Sequence, residues 1–501
     1  MTVIGRQIIE AVTSGQYDDP LMVLREYIQN AADSIDQATA TGQLPEGGGR
    51  IDVTIDGRTR CVVIQDNGTG VSGREARRLL CGVGITSKNP ERHRGFRGIG
   101  RLGGIGYCDE VVFESKAQGE KSAVVVKWDA AAVRDYVRHG GTVDSGEGLG
   151  KAVMLHPEGG TVDLPDRFFR VTLKNVHRFH RDALMDLSVV RDYLRQVAPV
   201  DYDSRAFPFG DEIRRELAGV EGFRSYSIGV NGMDLWRPHA KSFDLWGGEQ
   251  GTIDAVQFYP VTDRNGQVLG KGWYAKTGCT ASLPPSALMR GIRVRQGNIQ
   301  IGDEYVLDDC FTERRFSTWH IGELHLNYRV KPNARRDGFE HSPEYESVIE
   351  LCHRLGRHLS GLCREASRKR SSVARTEQRL QGLERQVRDP IIVDKEHRDR
   401  VVSEYMRQLR EIELANQKNN GDGNALSARI NSVKTGIAKL GRRRVFLSDL
   451  LDRKNLAERT PQSVLREVCH RLAALDRVPT NPSDLLEVVL SPYMSSGKVG
   501  T

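Results

Sequence analysis

The sequence predicts a mixed α/β chain, an α+β sandwich followed by a second α/β segment and a helical C-terminal region. Two observations carry most of that expectation. IDVTIDG at 51–57 and CVVIQDNG at 61–68 alternate apolar and polar residues with the period of half-buried strands, and helical-period stretches surround them. Beyond residue 345 the alternation stops: Val402, Tyr405, Leu409, Ile412 and then Leu426, Ile430, Val433, Ile437, Leu440 recur at intervals of three and four.

The elements follow in order. Residues 5–40 read as helices, with Ile8, Ile9, Val12, Leu21, Leu24 and Ile28 at helical spacing, and PEGGG at 45–49 ends them. The two alternating segments form a hairpin turning at Asp56-Gly57. A glycine-rich loop fills 82–106, strands follow near 109–115 and 121–128, and FRVTLKNV at 169–176 is a further strand. A helix over 181–197 closes a first domain, 1–205. SYSIGVNG, TIDAVQFYP, GKGWYAKTG and GIRVRQGNIQIG supply strands to a second domain, 206–345. The remainder, 346–501, is helical, with a hairpin of two helices about the linker NQKNNGDGN and two last helices starting at Thr460-Pro461 and Asn481-Pro482.

Composition narrows the function classes. A chain of 501 residues with 38% apolar and 28% charged side chains holds several ordinary cores. It contains no apolar run long enough for a membrane span, and its first residues lack a signal-peptide core, so a cytoplasmic protein without membrane contact is expected. The eight cysteines are scattered without CxxC or zinc spacing, which predicts reduced thiols. A net charge of +7 permits a nucleic-acid or acidic partner without requiring one.

Three blocks carry chemistry. Glu26, Asn30 and Asp33 share one helix face beside the apolar Leu24, Ile28 and Ala32. A carboxylate and a carboxamide one turn apart suit a proton acceptor and a hard-cation ligand. Asp66-Asn67-Gly68-Thr69-Gly70 ends a strand; its glycines admit a flat ligand and its carboxylate accepts from an exocyclic amine. Gly95-Phe-Arg-Gly98-Ile99-Gly100 continues to Gly106 with glycines dense enough to aim successive N–H groups at one anion. Each alone fits a bland alternative: an amphipathic helix, a turn, a flexible loop. The last is neither a P-loop nor a dinucleotide fingerprint.

In this order, ExxxNxxD, DxGxG and GxxGxG resemble the GHKL ATPases of the Bergerat fold: gyrase, heat-shock chaperone, histidine kinase and MutL. LREYIQNAADSID, QDNGTGV and GITSK followed by GFRGIGRLGGIGYCDEVVF are most similar to the ninety-kilodalton heat-shock chaperones, with MutL and MORC proteins more distant. The resemblance implies ATP and Mg²⁺ as ligands. It implies Glu26 as general base, Asn30 as magnesium ligand, and Asp33 near base and sugar. Asp66 would bind the adenine amine, Gly68 and Gly70 would shape its pocket, and Lys88 would stand near the lid. Gly95, Gly98, Ile99 and Gly100 would cradle the phosphates. A threonine on a late strand should complete the adenine pocket, and both Thr172 and Thr161 are candidates. Lys-Pro-Asn333-Ala-Arg-Arg336 resembles the chaperones' catalytic loop, so Arg336, or Arg335, would reach the γ-phosphate.

The implied role is a chaperone-like clamp, a homodimer in which ATP closes a lid at about 84–98 and docks a transducer domain to control a protein client or effector. Two alternatives compete: an ATP-gated DNA clamp of the MutL or MORC kind, and a nucleotide-gated scaffold without turnover. The basic clusters RKR at 368–370 and RRR at 442–444 fit a solvated helix face or, more sharply, DNA. Histidine kinase is disfavoured because the ATPase block stands at the start of the sequence.

Overall fold

The computed structural model describes residues 19–82, 100–139, 153–156, 164–178, 180–278, 281–388, 390, 392, 395–418 and 424–442. The chain divides into two compact units, 1–363 and 364–501.

Among the described residues the first unit contains two sheets. The larger comprises β1 (Arg50–Asp56), β2 (Cys61–Asp66), β3 (Glu110–Lys116), β4 (Val124–Asp129), β5 (Val153–His156), β6 (Phe168–Lys174), β7 (Ser227–Val230) and β8 (Met233–Asp234), in the order β5-β4-β3-β6-β2-β1-β7-β8. Its strands β1, β2 and β4 alternate between buried and more exposed positions, while β3 buries Val111, Val112 and Phe113 in succession. Ile51, Val53, Val62, Ile64, Val111, Phe113, Val126, Val171 and Leu173 are buried in one core. Arg170 on the opposite face donates to Gln65 at 2.8 Å and pairs with Glu114 at 3.3 Å, and Lys174 pairs with Glu110 at 2.6 Å. That division into a core face and a cross-strand polar face is the sandwich arrangement expected. Helices α1 (Met22–Ala40), α2 (Gly73–Cys81), α3 (Ala130–His139) and α4 (Leu187–Val197) supply the other side of this core through Leu24, Ile28, Ile35, Leu80, Val133 and Leu194.

Two local expectations are corrected. SYSIGVNG does not open the second sheet: Ser227–Val230 pairs parallel with β1 and extends the first. Ile228 and Val230 complete that core, and Asn231 locks the turn by bonding both the N–H and the carbonyl of Ile55, at 2.8 and 3.0 Å. Residues 181–197 are not one helix. A 3₁₀ turn at His180–Met185 precedes α4, which Asp186 caps by accepting from the N–H groups of Ser188 and Val189.

The second sheet comprises β9 (Ser242–Asp244), β10 (Gln250–Thr262), β11 (Val268–Thr277), β12 (Gly291–Gln296), β13 (Ile299–Ile301) and β14 (Ile321–Leu326), in the order β13-β12-β14-β11-β10-β9, with α5 (Gly210–Leu217) on its core. Every residue of β14 is buried, including Glu323. The Glu323 carboxylate takes Arg237, Arg295 (2.7 Å), the Tyr202 hydroxyl (2.7 Å) and His325 (3.0 Å). Arg237 also donates to the carbonyl of Val200 at 3.0 Å, and Arg295 to those of Asn298 (3.1 Å) and Gln196. This buried network ties the segment after α4 to the second sheet.

Burial holds the histidines here neutral. Burial pushes His239 down to about 3, reinforced by Arg237 and Arg295, and pushes His325 down to about 4 against the opposing pull of Glu323. The unfolded chain therefore binds protons below about pH 6.5 that the folded chain refuses, and stability falls as pH drops from 6.5 towards 4. Each such histidine should remove up to about 3 kcal/mol across that window. Denaturant midpoints at pH 7.5 and 5 check this, and equal midpoints would contradict it.

In the second unit, the end of α6 (Pro343–Arg388) joins α7 (Lys395–Lys418) and α8 (Asn424–Gly441). Leu409, Ile412, Ile430, Val433 and Ile437 pack as the heptad pattern requires, and Leu380 and Leu383 of α6 add a third helix to the expected pair. The helices expected from Thr460 and Asn481 lie outside the described residues. Among the described residues the cysteines are free, and no helix is long and apolar enough to cross a membrane.

Candidate nucleotide site

Helix α1 begins after Pro20, where Asp19 accepts the N–H of Leu21 at 2.9 Å, and its apolar stripe buries Leu24, Ile28, Ala31 and Ile35 against the sheet. Its polar face is not left in solvent. Glu26 and Asp33 are only 7% and 4% exposed, and Asn30 between them is half-buried. Carboxylates so placed need neighbours, and three segments supply them.

The first is the end of β2. Asp66 is buried and accepts the N–H of Gly68 at 2.9 Å, which fixes its carboxylate at the mouth of the turn. The turn lies directly on α1: Ser34 accepts the N–H of Thr69 at 3.1 Å, and a Cβ on Gly68 would stand 2.2 Å from the Ser34 Oγ. Gly70 has φ of +65°, and a side chain there would strike the carbonyl oxygen of Lys116 at 2.2 Å. Only glycine fits both positions.

The second is the 3₁₀ segment Gly100–Gly106. A Cβ on Gly100 would come within 2.4 Å of Glu26 Oε2, so the backbone passes against the carboxylate. Tyr27 holds it there, donating to the carbonyl of Arg101 at 3.0 Å and accepting the N–H of Gly104 at 3.2 Å.

The third comes from far along the chain. Arg336, in a turn after β14, is buried with φ of +57°, a conformation costly for a side-chain-bearing residue. Arg25 secures it by donating to the carbonyls of Arg336 (3.4 Å) and Arg335 (3.1 Å). The Arg336 Nε lies 3.9 Å from Glu26 Oε1, and Arg25 lies 4.0 Å from the same oxygen. The carboxylate thus sits between two guanidinium groups and a glycine backbone.

The structure therefore brings Gly100 and Arg336 to Glu26, and the turn of Asp66 and Gly68 to Ser34 further along the same helix, with Asn30 and Asp33 on the stretch of α1 between Glu26 and Ser34. Arg335 offers its carbonyl to Arg25, while its own side chain is exposed. Thr172 is not brought to Asp66. It lies on β6 between Arg170 and Lys174, on the polar face of the sheet, whereas Asp66 follows Ile64 onto the core face. The displacement follows from period-two alternation. Lys88, Gly95, Gly98, Ile99, Thr161 and the lid at 84–98 lie outside the described residues.

Sequence reasoning passed over Arg25, Tyr27 and Ser34, although each adjoins or lies near a residue it singled out. Nothing local distinguishes an anchoring tyrosine or serine from a core or surface one.

Residues 19–144 match the family model described as histidine kinase-, DNA gyrase B- and HSP90-like ATPase. With the geometry above, this region is an ATPase domain of that GHKL, HSP90-like class. The chain is similar to the chaperone protein HtpG of Acinetobacter baylyi, 26% identical over 178 residues covering 32% of this chain and 27% of that one. It is likewise similar to HtpG of Methylibium petroleiphilum, 27% identical over 26% of this chain and 24% of that one. HtpG of Polaromonas naphthalenivorans is 29% identical over 24% and 22% respectively. The matches span about a quarter of the length of these curated relatives.

Proposed function

We propose that this protein binds ATP in the pocket between α1, the Asp66–Gly70 turn and the Gly100–Gly106 segment, and hydrolyses it to drive a conformational clamp. The observation that carries the reading is the meeting of Glu26 with the Gly100 backbone and the Arg336 guanidinium, since residues 236 and more apart in sequence converge on one carboxylate. Asp66, held by the Gly68 amide, accepts the exocyclic amine of adenine, with Asp33 beside it. The Gly100 segment, continuous with Gly95, Gly98 and Ile99, offers backbone N–H groups to the phosphates, with Lys88 near them. Glu26 orients and deprotonates the attacking water. Arg336 gives its planar fork to the γ-phosphate oxygens.

Among the described residues no group of three or more His, Cys, Asp or Glu could cage a cation. The Asn30 amide fits Mg²⁺ in the other way, as one oxygen donor completing a shell of phosphate and water oxygens. Held by Asn30, the ion would supply positive charge against the phosphates. In the clamp reading, nucleotide binding docks the second domain, which carries Arg336, onto the nucleotide. Two chains then act together on a protein partner. HtpG is a chaperone by name, and that supports a protein client here.

Calorimetry of the full chain tests the pocket. ATP with Mg²⁺ should release heat of binding, and Asp66→Asn should weaken that binding about 10- to 100-fold, the loss of one charge-assisted hydrogen bond. An Asp66→Asn protein with undiminished affinity, or a wild-type protein with no heat of binding, refutes the proposal.

A further inference from the structure

We infer that the helical segment Arg364–Arg388 is a docking surface for the phosphate backbone of a nucleic-acid duplex, engaged through charge and not through base sequence. Residues 364–388 carry eight basic side chains against three carboxylates, and one strip of the helix surface is lined by arginines. Arg364, Arg368, Arg375 and Arg379 stand at i, i+4, i+11 and i+15, which places them within about 60° of one another around the helix. All four are exposed. Ser371, Ser372, Gln378 and Gly382 fill the rest of that strip, so no carboxylate interrupts it.

The exposed Glu365 borders the strip about 40° from Arg379, and the other two acids face away from it. Glu384 accepts two bonds from Arg429 of α8, both at 2.9 Å, and Glu377 lies 3.9 Å from the same guanidinium. Arg379 pairs with the exposed Glu411, a surface contact worth little and easily exchanged for a phosphate. On the inner side, Thr376, Leu380 and Leu383 are buried, the two leucines against α7 and α8, which fixes the strip outward.

The chemistry of the strip selects among polyanions. An amphipathic membrane helix needs a free apolar face, and here that face is spent on the three-helix core. Single-stranded nucleic acid is held by stacking on aromatic rings, and residues 364–388 contain none. What remains is a straight row of arginines about 22 Å long, matched to a rigid, regularly charged rod. The surface is independent of the ATPase reading, because the charges lie on a helix that carries none of the nucleotide-site residues.

The test uses the full chain without nucleotide and a labelled DNA duplex of about 30 base pairs, followed by anisotropy between about 50 and 200 mM salt. Binding should weaken linearly in log–log form. The triple substitution Arg364→Gln, Arg368→Gln, Arg375→Gln should lower affinity at least about 10-fold at the lower salt and flatten the slope by roughly 2 to 3. Lysine at the same three positions should restore both, which separates charge from folding. A control triple on the first unit, Arg205→Gln, Arg314→Gln, Arg315→Gln, removes the same charge and should leave the slope unchanged. Duplex RNA binding with the same slope also supports a phosphate-backbone site. Absence of duplex binding at low salt overturns the inference. So does equal weakening by both glutamine triples, or a stripe triple that loses polyglutamate or phosphatidylserine vesicles while keeping the duplex.

Discussion

Replacing Glu26 with glutamine should leave ATP bound and bring its turnover close to background. The glutamine side chain has the same length, so the close passage of Gly100 against this position is preserved. What disappears is the proton acceptor and the negative charge between Arg25 and Arg336. A general base contributes about 10²- to 10⁴-fold to such a reaction, and kcat should fall by that factor. Affinity should change far less, because the proposed adenine contact lies at Asp66. Steady-state phosphate release and nucleotide titration on one preparation separate the two effects. Turnover within a factor of about three of wild type would remove Glu26 from the role.

Glu323→Ala should strongly destabilise the first unit. Burial alone would push the Glu323 carboxyl up, yet Arg237, Arg295 and His325 hold it well below the usual carboxylate range. Its removal leaves two guanidinium groups in the same dry interior, and burial already pushes Arg295 down to about 10 with its partner present. Breaking a buried pair from one side costs about 3–5 kcal/mol, and two cations share this anion. Denaturant unfolding should register that loss. Glu323→Gln, which keeps acceptor geometry for the Tyr202 hydroxyl, should lose less. Since β14 leads directly to the turn bearing Arg336, ATP turnover should fall with stability in the alanine variant. A midpoint unchanged by Glu323→Ala would show that the network is dispensable.

Much of the site was legible because its motifs are local. The ExxxNxxD spacing needs only a helix to bring Glu26, Asn30 and Asp33 to one face, and DNGTG needs only a turn at the end of a strand. The strand hairpin at 51–66 was equally plain, since alternation sets the face of every residue once pairing begins. Thr172 shows the limit. Residue type made it a candidate for the pocket, but one position along a strand reverses the face, and register against β2 and β3 decided which. The segment 227–234 shows another: its pattern announces a strand without naming the sheet, and the open edge of β1 claimed it.

By itself, the sequence determined the three local blocks and the helices Lys395–Lys418 and Asn424–Gly441, because short-range periodicity and spacing encode them, and the resemblance carried by those blocks pointed to the GHKL class. Only the tertiary structure decided that Arg336 stands 3.9 Å from Glu26, that Tyr27 and Ser34 pin the glycine segments to α1, and that Glu323 sits among buried cations. Those relations join residues up to about 310 positions apart, and they depend on strand order and packing, which no local pattern specifies.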